Sequence, residues 1–132
     1  MAELKHPIKE AERYLDNAKR ILSEKAEKEG NYYNDRKYVR MAGDTAWKGA
    51  LIALDAVFNV KKKPNHRVSI EEYKEAVAKR DRKLLACVNT GYQTLHLYMG
   101  YDGIEKYVVC QSGLEDAKNI IDWCNRHYTE KV

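Results

Sequence analysis

The sequence contains little proline, glycine and cysteine, with two, seven and three residues of these types in a chain of 132. Such a composition, beside many Ala, Leu, Lys and Glu residues, favours helices over a turn-rich β architecture. The cysteines Cys87, Cys110 and Cys124 include no C-x-x-C pair, so neither a disulfide framework nor a zinc knuckle is indicated. We therefore predict an all-α fold with reduced thiols in a cytoplasmic protein.

Long apolar runs are also lacking. The longest, from Gly49 to Val60, is interrupted by Asp55 and Asn59. The sequence therefore predicts neither a transmembrane helix nor a signal peptide, and no membrane partner. With 44% hydrophobic and 33% charged residues, a chain of this length buries one core without covalent staples. We predict a single domain over residues 1–132.

Apolar residues recur with helical spacing along four long segments. The predicted principal helices run to Gly30, from about 35 to 61, from Ser69 to Met99 and onward from Ser112, with a short helix or lid at 104–110. Ser69 and Ser112 begin capping-box patterns, and Asn34 or Asp35 is a candidate cap for the second helix. The sequence therefore predicts an up-down bundle of four principal helices plus one short helix.

The second helix is apolar around most of its circumference. Its small residues Gly43 and Gly49 predict close approach of neighbouring backbones. One stripe is charged and comprises Lys37, Arg40, Asp44, Lys48 and Asp55. The stripe either faces solvent and pairs with itself, or lines a polar pocket or a subunit interface. Tyr38 and Trp47 would supply aromatic surface to such a site, so these residues are candidate binding residues.

A second set of polar residues lies near the end of the third predicted helix and comprises His96, Tyr101 and Asp102. A histidine near a helix C-terminus is stabilised there by the helix dipole and the free carbonyls. Alternatively, the three side chains form a cluster that holds a ligand or performs acid-base chemistry, with Arg40 or Lys37 as a phosphate clamp.

Positive charge is concentrated in residues 61–83, which contain nine Lys or Arg and four Asp or Glu. Four of these cations, Lys61, Lys62, Lys63 and Arg67, are candidate nucleic-acid contacts, while a solvated surface is the alternative. Residues 61–72 contain no aromatics interleaved with these cations, so no stacking platform for single strands is indicated there.

Motifs for catalysis or metal binding are scarce. Glu3 and His6 alone have the Glu-x-x-His spacing of a di-iron ligand pair. Ser69 and Ser112 are explained as helix caps, and no glycine-rich strand-to-helix turn is present. We predict no metal, no cofactor and no catalytic residue.

Several segments resemble the HEPN-like helical bundles, a superfamily with ribonuclease and nucleotide-binding members. The resemblance rests on AERYL at 11–15 and AWKGALIAL at 46–54. More narrowly, YVRMAG at 38–43 and LHLYMGYDG at 95–103 look like an uncharacterised bacterial family known as a domain of unknown function. The HEPN resemblance implies the helical fold and dimerisation.

The ribonuclease members of that superfamily use an Arg followed by four to six residues and a His. Here Arg126 and His127 are adjacent, and no other Arg precedes a His at that spacing. No catalytic residue is therefore carried over from the resemblance.

The functional prediction is a non-catalytic binding or interaction protein that acts as a homodimer or as a partner of another protein. Ten tyrosines and two tryptophans against one phenylalanine suit an interface, because these side chains combine apolar area with a polar tip. One alternative is a HEPN-like nuclease or nucleotide-modifying enzyme. The other is nucleic-acid binding through the basic segment.

Overall fold

A computed structural model of the chain describes residues 6–60 and 68–128. Its helices are α1 (Pro7–Glu24), α2 (Arg36–Phe58), α3 (Ile70–Ala78), α4 (Arg82–Gly91), a π-helix (Tyr92–Tyr101) and α5 (Tyr107–His127). The strands in these ranges are β1 (Lys28–Glu29) and β2 (Tyr32–Tyr33), two residues each, which pair as a hairpin. The all-α prediction is confirmed. No helix in the described part of the chain is long and apolar enough to cross a bilayer.

Helix α2 is the central helix and packs against α1, α5 and the π-helix. A Cβ atom added to Gly43 would lie 2.5 Å from the Cβ of Met99 and 2.6 Å from the carbonyl oxygen of Leu95. At Gly49 it would lie 2.9 Å from the carbonyl oxygen of Ala11. Both glycines therefore allow close backbone approach, as the sequence predicts.

Helix α1 buries an apolar stripe with the predicted helical spacing, formed by Ile8, Ala11, Leu15, Ala18 and Leu22. It ends at Glu24, however, so the predicted end at Gly30 is wrong. Gly30 instead has a φ of +60° beside β1 and β2. The hairpin makes tertiary hydrogen bonds that would not form if α1 continued to Gly30. The Tyr33 amide donates to the carbonyl of Glu105 at 2.8 Å.

The prediction of one long third helix is wrong, because the helix is interrupted between α3 and α4. Asp81 is extended, with a φ of −158°, and its Oδ1 accepts a hydrogen bond from the Leu84 amide at 2.9 Å. Asp81 therefore starts a new helix by satisfying one of its free amides. The predicted capping box of Ser69 and Glu72 at the start of α3 is confirmed.

Helix α5 begins at Tyr107, so the predicted start at Ser112 is wrong. The following Gly113 is a packing residue. A Cβ atom there would lie 2.8 Å from Cγ2 of Thr94 and 2.9 Å from Cδ2 of Leu95 on the π-helix. The glycine in this capping-box pattern thus permits helix contact, and the separate short helix expected at 104–110 is largely absorbed into α5.

Candidate ligand-binding groove

An open groove of about 520 Å³ lies between α2, the start of α3 and the π-helix, and we call it the α2–π groove. Three aromatic, three aliphatic and three polar residues line it: Trp47, Tyr73, Tyr92, Leu51, Val68, Ile70, Asp44, Lys48 and His96. Small-molecule sites have volumes of about 300–1,000 Å³ and mostly apolar walls with a few polar groups. The α2–π groove has both properties.

Tyr92 lies at the centre of the aromatic wall. Its ring meets Trp47 edge-on with 5.7 Å between centroids, and it stacks on His96 at 5.2 Å. The Lys74 ammonium lies 5.6 Å from the Tyr92 centroid. The π-helix carries both Tyr92 and His96, and π-helical segments occur frequently at functional sites.

The polar residues of the groove lie on α2 and the π-helix. Asp44 and Lys48 are four positions apart on α2 and both are exposed, as is His96. Within the described ranges, Lys48 makes no ion pair with any carboxylate within 4.0 Å. This cation is therefore available to a ligand.

The two tryptophans differ in how their indole N–H groups are used. Trp123 Nε1 donates to Asp81 Oδ2 at 3.0 Å. Trp47 is 6% exposed, and its N–H makes no hydrogen bond to the described residues. Because no buried side-chain polar atom in those ranges lacks a partner, the Trp47 N–H keeps contact with solvent. It is a free donor on a residue that lines the groove.

Tyr73, which lines the groove, joins α3 to α2. Its buried hydroxyl donates to Asp55 Oδ1 at 2.9 Å. Burial, together with the adjacent Asp55 carboxylate, raises the pKa of Tyr73. Asp55, predicted as part of the charged stripe, is therefore half-buried in a hydrogen bond that supports the groove.

The groove brings together four of the predicted binding residues: Asp44, Trp47, Lys48 and His96. Their grouping was not predicted, because it depends on packing between helices distant in sequence. The described lining of the groove does not include the other candidates. Lys37 lies over the half-buried ring of Tyr38, 5.3 Å from its centroid.

The remaining candidates lie near the C-terminal end of the π-helix or outside the described ranges. Tyr101 is 79% exposed, and Asp102 is also exposed. The Arg40 side chain packs near the backbone of Gly103, where an added Cβ would lie 3.0 Å from its Nε. The nucleic-acid candidates Lys61, Lys62, Lys63 and Arg67 lie outside the described residues.

Sequence reasoning missed a second groove, of about 380 Å³, between α4 and α5, which we call the α4–α5 groove. Trp123 is its central side chain and stacks on Phe58 at 5.5 Å and on His127 at 3.8 Å. The Arg80 guanidinium lies 5.4 Å from the Trp123 ring. The four-residue spacing of Trp123 and His127 was the available sequence signal.

The thiols are poorly suited to nucleophilic chemistry. Desolvation raises the pKa of Cys110 to about 11 and that of Cys124 to about 12. Burial also raises the pKa of Cys87, which lines the α4–α5 groove. Because the thiolate is the nucleophilic form, all three are held in the unreactive state near neutral pH. The described residues include no group of three His, Cys, Asp or Glu placed to hold a metal ion.

The fold and the α2–π groove define a small all-α bundle with an aromatic-walled surface groove. The chain belongs to the family described as a domain of unknown function, DUF5618, which it matches over residues 6–126. It is also similar to a solved structure of a protein of unknown function from Dyadobacter fermentans, at 43% sequence identity and a TM-score of 0.88. That likeness covers 95% of this chain and 98% of the other. A search of curated proteins found no match. The predicted membership of an uncharacterised family is thus confirmed.

Proposed function

We propose that the protein is a non-catalytic binding protein that holds a small organic molecule in the α2–π groove. The observation that carries the proposal is the combination of aromatic surface with polar groups that have no partner among the described residues. The Lys48 ammonium and the Trp47 N–H are both available beside Tyr92. Polar groups of this kind orient a ligand, while the apolar wall supplies most of the binding energy.

Binding is favoured over catalysis by the placement of the acid-base candidates. His96 lines the α2–π groove, whereas Tyr101 and Asp102 do not. General acid-base catalysis needs its groups within hydrogen-bond reach of one substrate. A nuclease activity, the HEPN-like relationship and nucleic-acid binding through the basic segment stay predictions.

Self-association is a further part of the proposal. Two apolar side chains, Tyr101 at 79% and Val108 at 68% exposure, support it, because aromatic and apolar surface is enriched where protein interfaces form. We expect light scattering at high micromolar concentration to give the mass of a dimer. A strict monomer would remove this part and leave the ligand-binding proposal standing.

A fragment screen by NMR tests the ligand-binding proposal. The ¹⁵N-labelled protein is titrated with small amphipathic fragments, and amide shifts are mapped onto the fold. We expect the binding fragments to shift amides around Trp47, Lys48 and Tyr92. Shifts confined to other surfaces, or an absence of binding fragments, would contradict the proposal.

A pair of variants gives the control for this screen. Leu51→Asn removes apolar surface from the α2–π groove, and Leu85→Asn removes the same amount from a half-buried leucine on α4. We expect Leu51→Asn to weaken fragment binding by about tenfold, as the loss of a few contacting methyl or methylene groups does. Leu85→Asn should leave the affinity unchanged. Equal effects would place binding elsewhere.

A further inference from the structure

We infer that the ligand of the α2–π groove is an organic anion, with an apolar or aromatic body and a single carboxylate or phosphate group. This inference rests on the proposed function and specifies the chemistry of the ligand. The body would lie against the aromatic and aliphatic wall, and the anionic group would meet Lys48 and the Trp47 N–H.

The charge around the groove favours an anion. Lys48 lines the groove, and Lys74 reaches its central aromatic ring, 5.6 Å from the Tyr92 centroid. In the described ranges neither ammonium forms an ion pair within 4.0 Å. Asp44 is the one acidic residue among the described lining side chains. The described lining thus holds one lysine and one carboxylate, and Lys74 adds a second cation beside the Tyr92 ring.

The Asp44 carboxylate is packed towards the π-helix. A Cβ atom added to Gly100 would collide with Asp44 Oδ1, so this oxygen lies directly against the Gly100 backbone. The other nearby carboxylate, that of Asp55, accepts a hydrogen bond from the Tyr73 hydroxyl at 2.9 Å. Both carboxylates therefore have close contacts within the fold, whereas the Lys48 ammonium has no partner of opposite charge among the described residues.

A cationic ligand is disfavoured by the same geometry. Aromatic cages bind cations over open ring faces, but the Tyr92 ring already stacks on His96 at 5.2 Å and carries the Lys74 ammonium. A second cation at this ring would be repelled by Lys74. The free indole N–H of Trp47 is a donor with no acceptor capacity, and it pairs with an anionic or carbonyl oxygen.

Three probes that differ in charge and share a naphthalene ring test the inference. They are 1-naphthaleneacetate, its neutral amide and 1-naphthylmethylammonium. Binding is measured with the ¹⁵N-labelled protein, and the backbone amide shifts of Trp47, Lys48 and Tyr92 report on the α2–π groove. We expect the acetate to bind about fivefold or more tightly than the amide, and the ammonium to bind most weakly.

The outcomes separate the two proposals. If the amide or the ammonium binds as tightly as the acetate, the inference is wrong while the ligand-binding proposal stands. If none of the probes binds and the NMR fragments also leave the groove unshifted, the proposed function itself fails. If the acetate binds but the protein backbone amides that it shifts lie on another surface, both the inference and the proposed function fail.

A lysine pair provides the matched control. Lys48→Met removes the available cation of the α2–π groove, and Lys83→Met removes an exposed cation of the α4–α5 groove. We expect Lys48→Met to weaken acetate binding by about fivefold, the scale of one partly exposed ion pair, and to leave amide binding and the melting temperature unchanged. Lys83→Met should change neither affinity. Equal loss of amide binding in Lys48→Met would show a merely structural role and overturn the inference.

Discussion

The two grooves of this protein use similar residue types in opposite ways. In the α4–α5 groove, Trp123 donates its N–H to Asp81, stacks on Phe58 and on His127, and has the Arg80 guanidinium 5.4 Å from its ring. The His127 ring also bonds within the fold, through Nδ1 to the carbonyl oxygen of Trp123 at 2.8 Å.

In the α2–π groove, by contrast, the Trp47 N–H and the Lys48 ammonium have no partner among the described residues. A polar group that is bonded within the fold contributes to stability, whereas a donor left without a partner is available for recognition. The difference supports our proposal that the α2–π groove is the ligand-binding groove, while the bonded side chains of the α4–α5 groove stabilise the bundle.

Replacing Trp123 with alanine is the strongest way to sharpen this comparison. The substitution removes a buried ring, two ring stacks and the hydrogen bond to Asp81. We expect the free energy of unfolding to fall by about 3–5 kcal/mol, as for other buried Trp or Phe truncations. Urea unfolding monitored by circular dichroism measures it.

The same variant also tests whether the two grooves are independent. At temperatures where Trp123→Ala is still folded, 1-naphthaleneacetate should bind it with an affinity within about twofold of the parent, since sites without shared contacts are usually additive. Glu12→Ala, at an exposed position on α1 outside both grooves, is the control and should change stability by less than about 0.5 kcal/mol. A large affinity loss in Trp123→Ala would break the comparison.

A pair of glycine substitutions has a smaller expected effect. In Gly43→Ala the new methyl group would lie 2.6 Å from the Leu95 carbonyl oxygen and 2.9 Å from the Gly100 amide nitrogen. Overpacking costs about 1–3 kcal/mol, which exceeds the helix-propensity gain of about 1 kcal/mol. We expect a net loss of up to about 2 kcal/mol, together with weaker probe binding, because the π-helix must move away from α2.

Gly91→Ala is the matched control at the boundary of α4 and the π-helix. Gly91 has helical angles, with a φ of −62°, and the added methyl group would lie 3.5 Å from Ile120 Cδ1. This is ordinary van der Waals contact, so we expect unchanged stability or a gain of up to about 1 kcal/mol. Equal destabilisation of both variants in thermal melts would show that the short distances around Gly43 do not make an added methyl group more costly there than at Gly91.

Features encoded within one turn of helix were predictable from the sequence. The Asp35 cap and the Ser69 capping box follow from residues near one another in the chain, and both are found in the structure. The buried stripe of α1 is of the same kind. Local hydrogen bonding and helical periodicity determine these features, so no tertiary information was needed.

The break between α3 and α4 was not predictable by periodicity, because Val77 and Leu84 are seven positions apart and both are buried. That spacing preserves the apolar stripe of a continuous helix across the break. The partner that fixes Asp81 in place, Trp123, is 42 residues away in sequence. Likewise, the grouping of Lys48 with His96 depends on the packing of α2 against the π-helix. Long-range contacts of this kind leave no local pattern.

The pH dependence of Asp81 is the smallest effect that tests the comparison. The hydrogen bond from the Leu84 amide, followed by that from the Trp123 N–H, lowers the pKa of Asp81 from its ordinary value of 3.8. A carboxyl group with a lowered folded-state pKa contributes stability that is complete above its unfolded-state pKa of about 4 and is lost as the pH falls through the folded-state value. In Asp81→Asn the side-chain oxygen still accepts a hydrogen bond but has no carboxylate to protonate. We therefore expect the urea midpoint to fall less between pH 7 and pH 3 in Asp81→Asn than in the parent, and an equal fall in both would show that Asp81 does not stabilise the α4–α5 groove as a carboxylate.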